Sequence, residues 1–131
     1  MIKQVFNIKH YWTVIVYYNI DYDYFDIIRR ELLDVSTPVE EIGNIQYHLF
    51  HDAYGVTVNS LKHKCSVVAF NKHISKAEYL SSIVHEAEHI KQGIFSYYHV
   101  PNKGEDAAYT IGYIVKQMFD AVSCVVFDKC N

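Results

Sequence analysis

Proline and glycine are scarce in this chain. Two Pro and five Gly among 131 residues leave few places for the backbone to break, which excludes long loop-rich or low-complexity stretches. Cysteine is sparse as well. The three thiols are odd in number, and Cys124 and Cys130 crowd the end of the sequence, so no disulfide framework is expected and the pattern reads as reduced thiols in a cytoplasm. A terminal link between Cys124 and Cys130 is the one alternative. The chain has no run of Lys and Arg, and its net charge of −3 argues against nucleic acid as a partner. Its longest apolar run, residues 11–18, falls far below the roughly 20 residues a membrane-spanning helix needs. The opening residues carry polar side chains too often for a secretory signal, so neither membrane nor export is expected.

What the chain has is apolar and aromatic bulk. Half of the residues are hydrophobic, with 12 Tyr and 7 Phe, enough for one core, and a single domain over residues 1–131 is expected. Residues 2–8 and 11–18 are rich in β-branched and aromatic side chains and predict two strands, the second buried on both faces. Helical spacing of Phe25, Ile28, Leu32 and Val35 predicts a helix over residues 24–35. Thr37-Pro38-Val39-Glu40 reads as a capping box, followed by a helix that buries Ile42, Ile45 and Leu49 and ends near His51. Residues 56–58 and 65–70 predict a hairpin, with Cys65 in the core and the second strand lining the cleft as a peptide-accepting edge.

Ser75-Lys76-Ala77-Glu78 is a second capping box, flanked by Ile74 and Tyr79 as a hydrophobic staple. The helix it starts should pack through Leu80, Ile83, Ala87, Ile90 and Ile94 and stop at Gly93, with a connection running to Pro101-Asn102 as turn and cap. A last helix over residues 105–121 buries Ala107, Ile111, Ile114, Val115, Met118 and Val122. Its other stripe, Glu105, Tyr109, Gly112 and Lys116, is small enough in places to let a second helix approach. The expected fold class is α+β, a small mixed sheet of about four strands packed on helices in the order ββααββαα.

Within the third helix stands His85-Glu86-Ala87-Glu88-His89. Residues four apart share a helix face, so two imidazoles can converge on one metal ion, with Glu86 beside them to reach a metal-bound water. The wheel puts both histidines opposite the core stripe. The same five residues also satisfy the inverted H-x-x-E-H pattern, because Glu86 and Glu88 flank the histidines almost symmetrically. The other histidines carry less chemistry. His48 and His51 lie near a helix end without a Cys or paired carboxylate beside them, and His10, His63 and His73 stand in turns.

On these residues the chain resembles the gluzincins, metallopeptidases in which a Glu on a helix downstream of H-E-x-x-H completes the zinc site. It looks most like the minimal single-domain versions called minigluzincins, including small proteins of phage and mobile-element type. The likeness rests on the motif, the strand over residues 66–70 before it, and Gly104-Glu105-Asp106-Ala107-Ala108-Tyr109 after it, and covers residues 54–120. It implies a zincin-like fold and one Zn2+ held by His85, His89 and Glu105. It also implies Glu86 as general base and a peptide or protein substrate. The stretch after His89 is too short for the distant ligand of the inverted family, which favours Glu86 over Glu88. Tyr109 is the nearest candidate for stabilising the oxyanion, with Tyr97, Tyr98, His99 and Tyr113 behind it. Asp106 would orient a ligand histidine or favour the helix N-terminus by its charge. The absence of a separate substrate subdomain motivates the alternative, a weakly active or inactive zincin-fold protein that binds a peptide or partner.

Overall fold

The computed structural model describes residues 1–72 and 75–123. Two strands, β1 (Ile2–Ile8) and β2 (Trp12–Ile20), lead through a short 3-10 turn (Tyr22–Tyr24) into α1 (Phe25–Asp34) and α2 (Val39–His51). Strands β3 (Gly55–Ser60) and β4 (Cys65–Asn71) follow, then α3 (Lys76–Tyr97) and α4 (Gly104–Ala121). The class is α+β and the strands and helices succeed one another in the expected order.

The four strands form one mixed sheet in the order β1-β2-β4-β3. Each hairpin is antiparallel, and the two hairpins meet through the parallel pair of β2 and β4, with Thr13 opposite Cys65. Parallel neighbours need a crossover, and α1 and α2 supply it. The sheet is therefore covered on both faces. Val14, Val16, Tyr18, Val68 and Phe70 pack with Ile83, Ala87, Ile90 and Ile94 of α3 and Ile114 and Met118 of α4. On the other face Tyr17, Val67 and Ala69 pack with Ile28 and Leu32 of α1 and Ile42 and Leu49 of α2. Period-two alternation in a doubly buried strand accounts for the uninterrupted apolar run of β2. Cys65 is a buried free thiol, and burial pushes its pKa up to about 11.

Several local expectations are corrected. The capping box at Thr37 does not form. Pro38 is the N-cap of α2, with extended backbone and no side-chain cap, since proline carries no side-chain acceptor for the first-turn N–H groups. The Thr37 hydroxyl is buried and finds no partner among the described residues. By contrast, Ser75 caps α3 by accepting from the backbone N–H of Glu78 at 3.2 Å. The staple partner Ile74, like His73, Cys124 and Cys130, lies outside the described residues. Leu80 is exposed rather than core. Lys103, not Asn102, occupies the N-cap position of α4 and makes no side-chain cap.

Gly93 does not end α3, which runs one further turn to Tyr97. Its missing side chain serves a close approach: a Cβ there would sit 2.4 Å from Cγ of Asn59 on β3. Asn59 is itself fixed, donating to the carbonyl of His89 at 2.9 Å and accepting from Ser66 at 2.6 Å. Gly112 is the opposite case. A Cβ there meets nothing within 4 Å, so the stripe of Glu105, Tyr109 and Gly112 faces solvent and does not admit another helix, because α4 packs through Ala107, Ile114 and Met118.

These two glycines give opposed expectations. Gly112→Ala should stabilise the protein by about 0.5–1 kcal/mol, the gain of alanine over glycine in a helix. Gly93→Ala carries the same propensity gain but displaces Asn59 from its two hydrogen bonds, so a net loss of about 1–2 kcal/mol is expected. Urea unfolding of both variants checks this. Equal shifts of the same sign would refute the packing at Gly93.

Candidate functional site

Edge strand β3 and helix α3 run side by side. Strand alternation turns Val56 and Val58 toward α1 and α2, leaving Gly55, Thr57 and Asn59 to face α3. On the helix, Glu86 and Gly93 are two turns apart and share a line at the flank of the core stripe. The small and polar positions of the strand thus meet the one carboxylate and the one glycine of that helical line. Glu86 is only 4% exposed. Its Oε1 accepts a hydrogen bond of 2.8 Å from the Thr57 hydroxyl. A Cβ on Gly55 would lie 3.3 Å from its Cγ.

His85 and His89 project outward, as their phase opposite the core stripe requires. Their rings meet edge to face with centroids 5.0 Å apart. The His85 side chain is 71% exposed, and its Nε2 stands 4.0 Å from Oε2 of Glu86. The two oxygens of Glu86 therefore have different neighbours, Oε1 the Thr57 hydroxyl and Oε2 the His85 ring.

The near symmetry of Glu86 and Glu88 on a helical wheel is absent from the folded protein. Glu88 is partly exposed on the far flank, where it pairs with Lys91 at 2.8 Å and accepts weakly from Gln92 at 3.4 Å. The Lys91 hydrogen bond holds its carboxyl below the usual range, assisted by Gln92 and Asn102. Lys91 is itself buried. Glu88 is thus engaged with a lysine, whereas Glu86 has one oxygen near the His85 imidazole.

Glu105 lies exposed in the first turn of α4. Among the described residues no three His, Cys, Asp or Glu side chains form a group that could hold a metal ion, so the structure brings His85 and His89 together and does not bring Glu105 to them. Two imidazoles could supply two of the three protein ligands that a catalytic zinc takes, and the Glu86 carboxylate lies beside one of them. Tyr109 is 74% exposed. It lines, with Tyr11, Tyr98, Tyr113 and Asp106, a cavity of about 850 Å³ that none of His85, Glu86 and His89 touches. Tyr97 packs its ring against Trp12, with centroids 6.0 Å apart.

His48 and His51 have local partners. His48 contacts Asp52 at 2.8 Å, and His51 stacks on Tyr47 with centroids 4.1 Å apart. The expectation that β4 offers a peptide-accepting edge is corrected: β4 is paired on both sides, by β2 and β3, and the strand at the sheet's end beside α3 is β3. Sequence reasoning missed Thr57 and Asn59. Their signal was the alternation of polar and valine positions along β3, which has meaning only once the strand is set beside α3.

Among the described residues no helix is long and apolar enough to cross a membrane. No protein-family model, curated protein or solved structure matches the chain.

Proposed function

We propose that the chain is a zinc-dependent peptidase in which His85 and His89 hold the ion, Glu105 completes the site and Glu86 is the general base. One observation carries this reading: a buried carboxylate, fixed on one oxygen, has the other 4.0 Å from the exposed imidazole of His85, whose ring meets that of His89 one helical turn on. A buried carboxylate is costly to keep without partners, and a surface histidine pair on an ordinary amphipathic helix gives no reason to keep one there.

Bound zinc would polarise the scissile carbonyl and acidify a water molecule. The chain's own residues do the rest. Glu86 accepts the water proton on Oε2 and returns it to the leaving amine, while the sheet and Asn59 fix the helical turn that carries His89.

Metal analysis of protein purified without an affinity tag tests the proposal. Close to one zinc per chain is expected, lost in His85→Ala and His89→Ala, and bound more weakly in Glu105→Ala because a ligand is removed. Protein that binds no zinc even when the ion is supplied would end it.

A second reading has its own support. Glu105 is not gathered with the histidines, and β3 ends the sheet with one side unpaired by any other described strand, which suits a module that takes up an extended peptide without cleaving it. Such a module could keep the metal, so turnover of wild type against Glu86→Gln separates the two.

A further inference from the structure

We infer that Thr57 is a positioning residue for Glu86, holding the carboxylate so that Oε2 is the oxygen that handles the proton. The inference rests on the peptidase reading above and extends it to a residue outside the five-residue motif. Glu86 is almost wholly buried, and the hydroxyl of Thr57 donates to its Oε1 at 2.8 Å. Oε2 is the oxygen near the imidazole of His85, 4.0 Å from its Nε2.

A carboxylate on a three-bond tether can rotate about its last torsion and exchange its oxygens. One donated hydrogen bond to a charged acceptor removes that freedom. Threonine suits the task for two reasons. Its β-branched side chain is stiff at χ1, and it occupies a strand position where the rotamer is further limited by the paired neighbour Val68 on β4. Gly55, one strand repeat earlier, leaves the space in which the Glu86 stem lies, since a Cβ there would come within 3.3 Å of Cγ and still closer to the Phe70 ring. Strand β3 therefore both makes room for the base and fixes its orientation. It is also the strand at the end of the sheet, so the base is held by the element beside which an extended substrate would lie.

The test has an arm that does not depend on catalysis. Urea midpoints of chelator-treated protein are measured for Thr57→Val in the wild-type background and in the background of Glu86→Ala. If the hydroxyl serves the carboxylate, Thr57→Val lowers the midpoint in the first and leaves it unchanged in the second. An equal drop in both would overturn the contact.

The second arm is kinetic. Thr57→Val should lower kcat about ten- to a hundredfold with KM and zinc content unchanged, and Thr57→Ser, which keeps the hydroxyl, should return kcat close to the wild-type value. An unchanged kcat, or a rise in KM alone, would show the contact to be structural and sink the proposal. Wild-type protein without Glu86-dependent turnover would remove the peptidase reading and this role with it, while the stability arm would still report whether the contact exists.

Discussion

Glu86→Gln should lower peptide-bond hydrolysis by about 10²–10⁴-fold, the usual contribution of a general base, while zinc content and fold persist. The amide is nearly isosteric with the carboxylate, and its carbonyl oxygen can still accept from the Thr57 hydroxyl, so the side chain should stay seated between Gly55 and the helix. What it loses is the ability to take a proton. Activity is read on a peptide library, with zinc measured on the same samples. Glu88→Gln is the matched control. Glu88 is engaged with the buried Lys91 on the other flank, so its loss should leave kcat within a few-fold of wild type and show itself in stability instead. A larger loss in Glu88→Gln than in Glu86→Gln would reverse the assignment of the base. Equal background turnover in wild type and Glu86→Gln would favour the peptide-binding reading.

Trp12→Ala should cost about 3–5 kcal/mol of stability, the range for emptying a fully buried large aromatic position. Trp12 is 1% exposed at the start of β2. Its Nε1–H donates to the Ser66 hydroxyl at 2.9 Å, and Ser66 donates on to Asn59, which holds the His89 carbonyl. A domain of this size is stable by about 5–15 kcal/mol, so the loss is a large part of the total. Trp12→Phe keeps most of the apolar surface and forfeits the indole donor, and should cost only about 1–2 kcal/mol. Urea unfolding with an unchanged slope checks both. If Trp12→Phe costs as much as Trp12→Ala, the ring's volume is not what the site rewards, and the packing description fails.

Much of the fold was legible because its signals are local. The apolar run of residues 11–18, the capping box at Ser75 and the helical spacing from Ile83 to Ile94 each report on one element, and each element is there. The errors arose where one element's behaviour is decided by another. Gly93 looks like a helix stop in isolation, yet it is the contact point for Asn59. Gly112 looks like a helix-packing position, yet nothing approaches it. The strand over residues 66–70 precedes the motif helix in sequence, but the parallel pairing with β2 puts it in the sheet interior and gives the edge to β3.

The candidate site divides the same way. Helical phase alone exposes His85 and His89. The distinction between Glu86 and Glu88 is invisible on a wheel, because it comes from Thr57 on one flank and Lys91 on the other. Glu105 was assigned by resemblance, and a resemblance carries a role without carrying the packing that would deliver the side chain.

The sheet order also bears on how the molecule assembles. Strands β3 and β4 and helix α3 are consecutive, so the contacts that seat Glu86 close short loops and can form early. The parallel pairing of β2 with β4 must instead close the chain across α1 and α2, and the bond from Trp12 to Ser66 joins residues 54 positions apart. That bond leads, through Asn59, to the helical turn bearing His89. The turn bearing His89 is therefore tied to a longer closure than the one that seats Glu86, and hydrogen exchange during refolding should protect the backbone around Glu86 before the Trp12 indole acquires its buried environment.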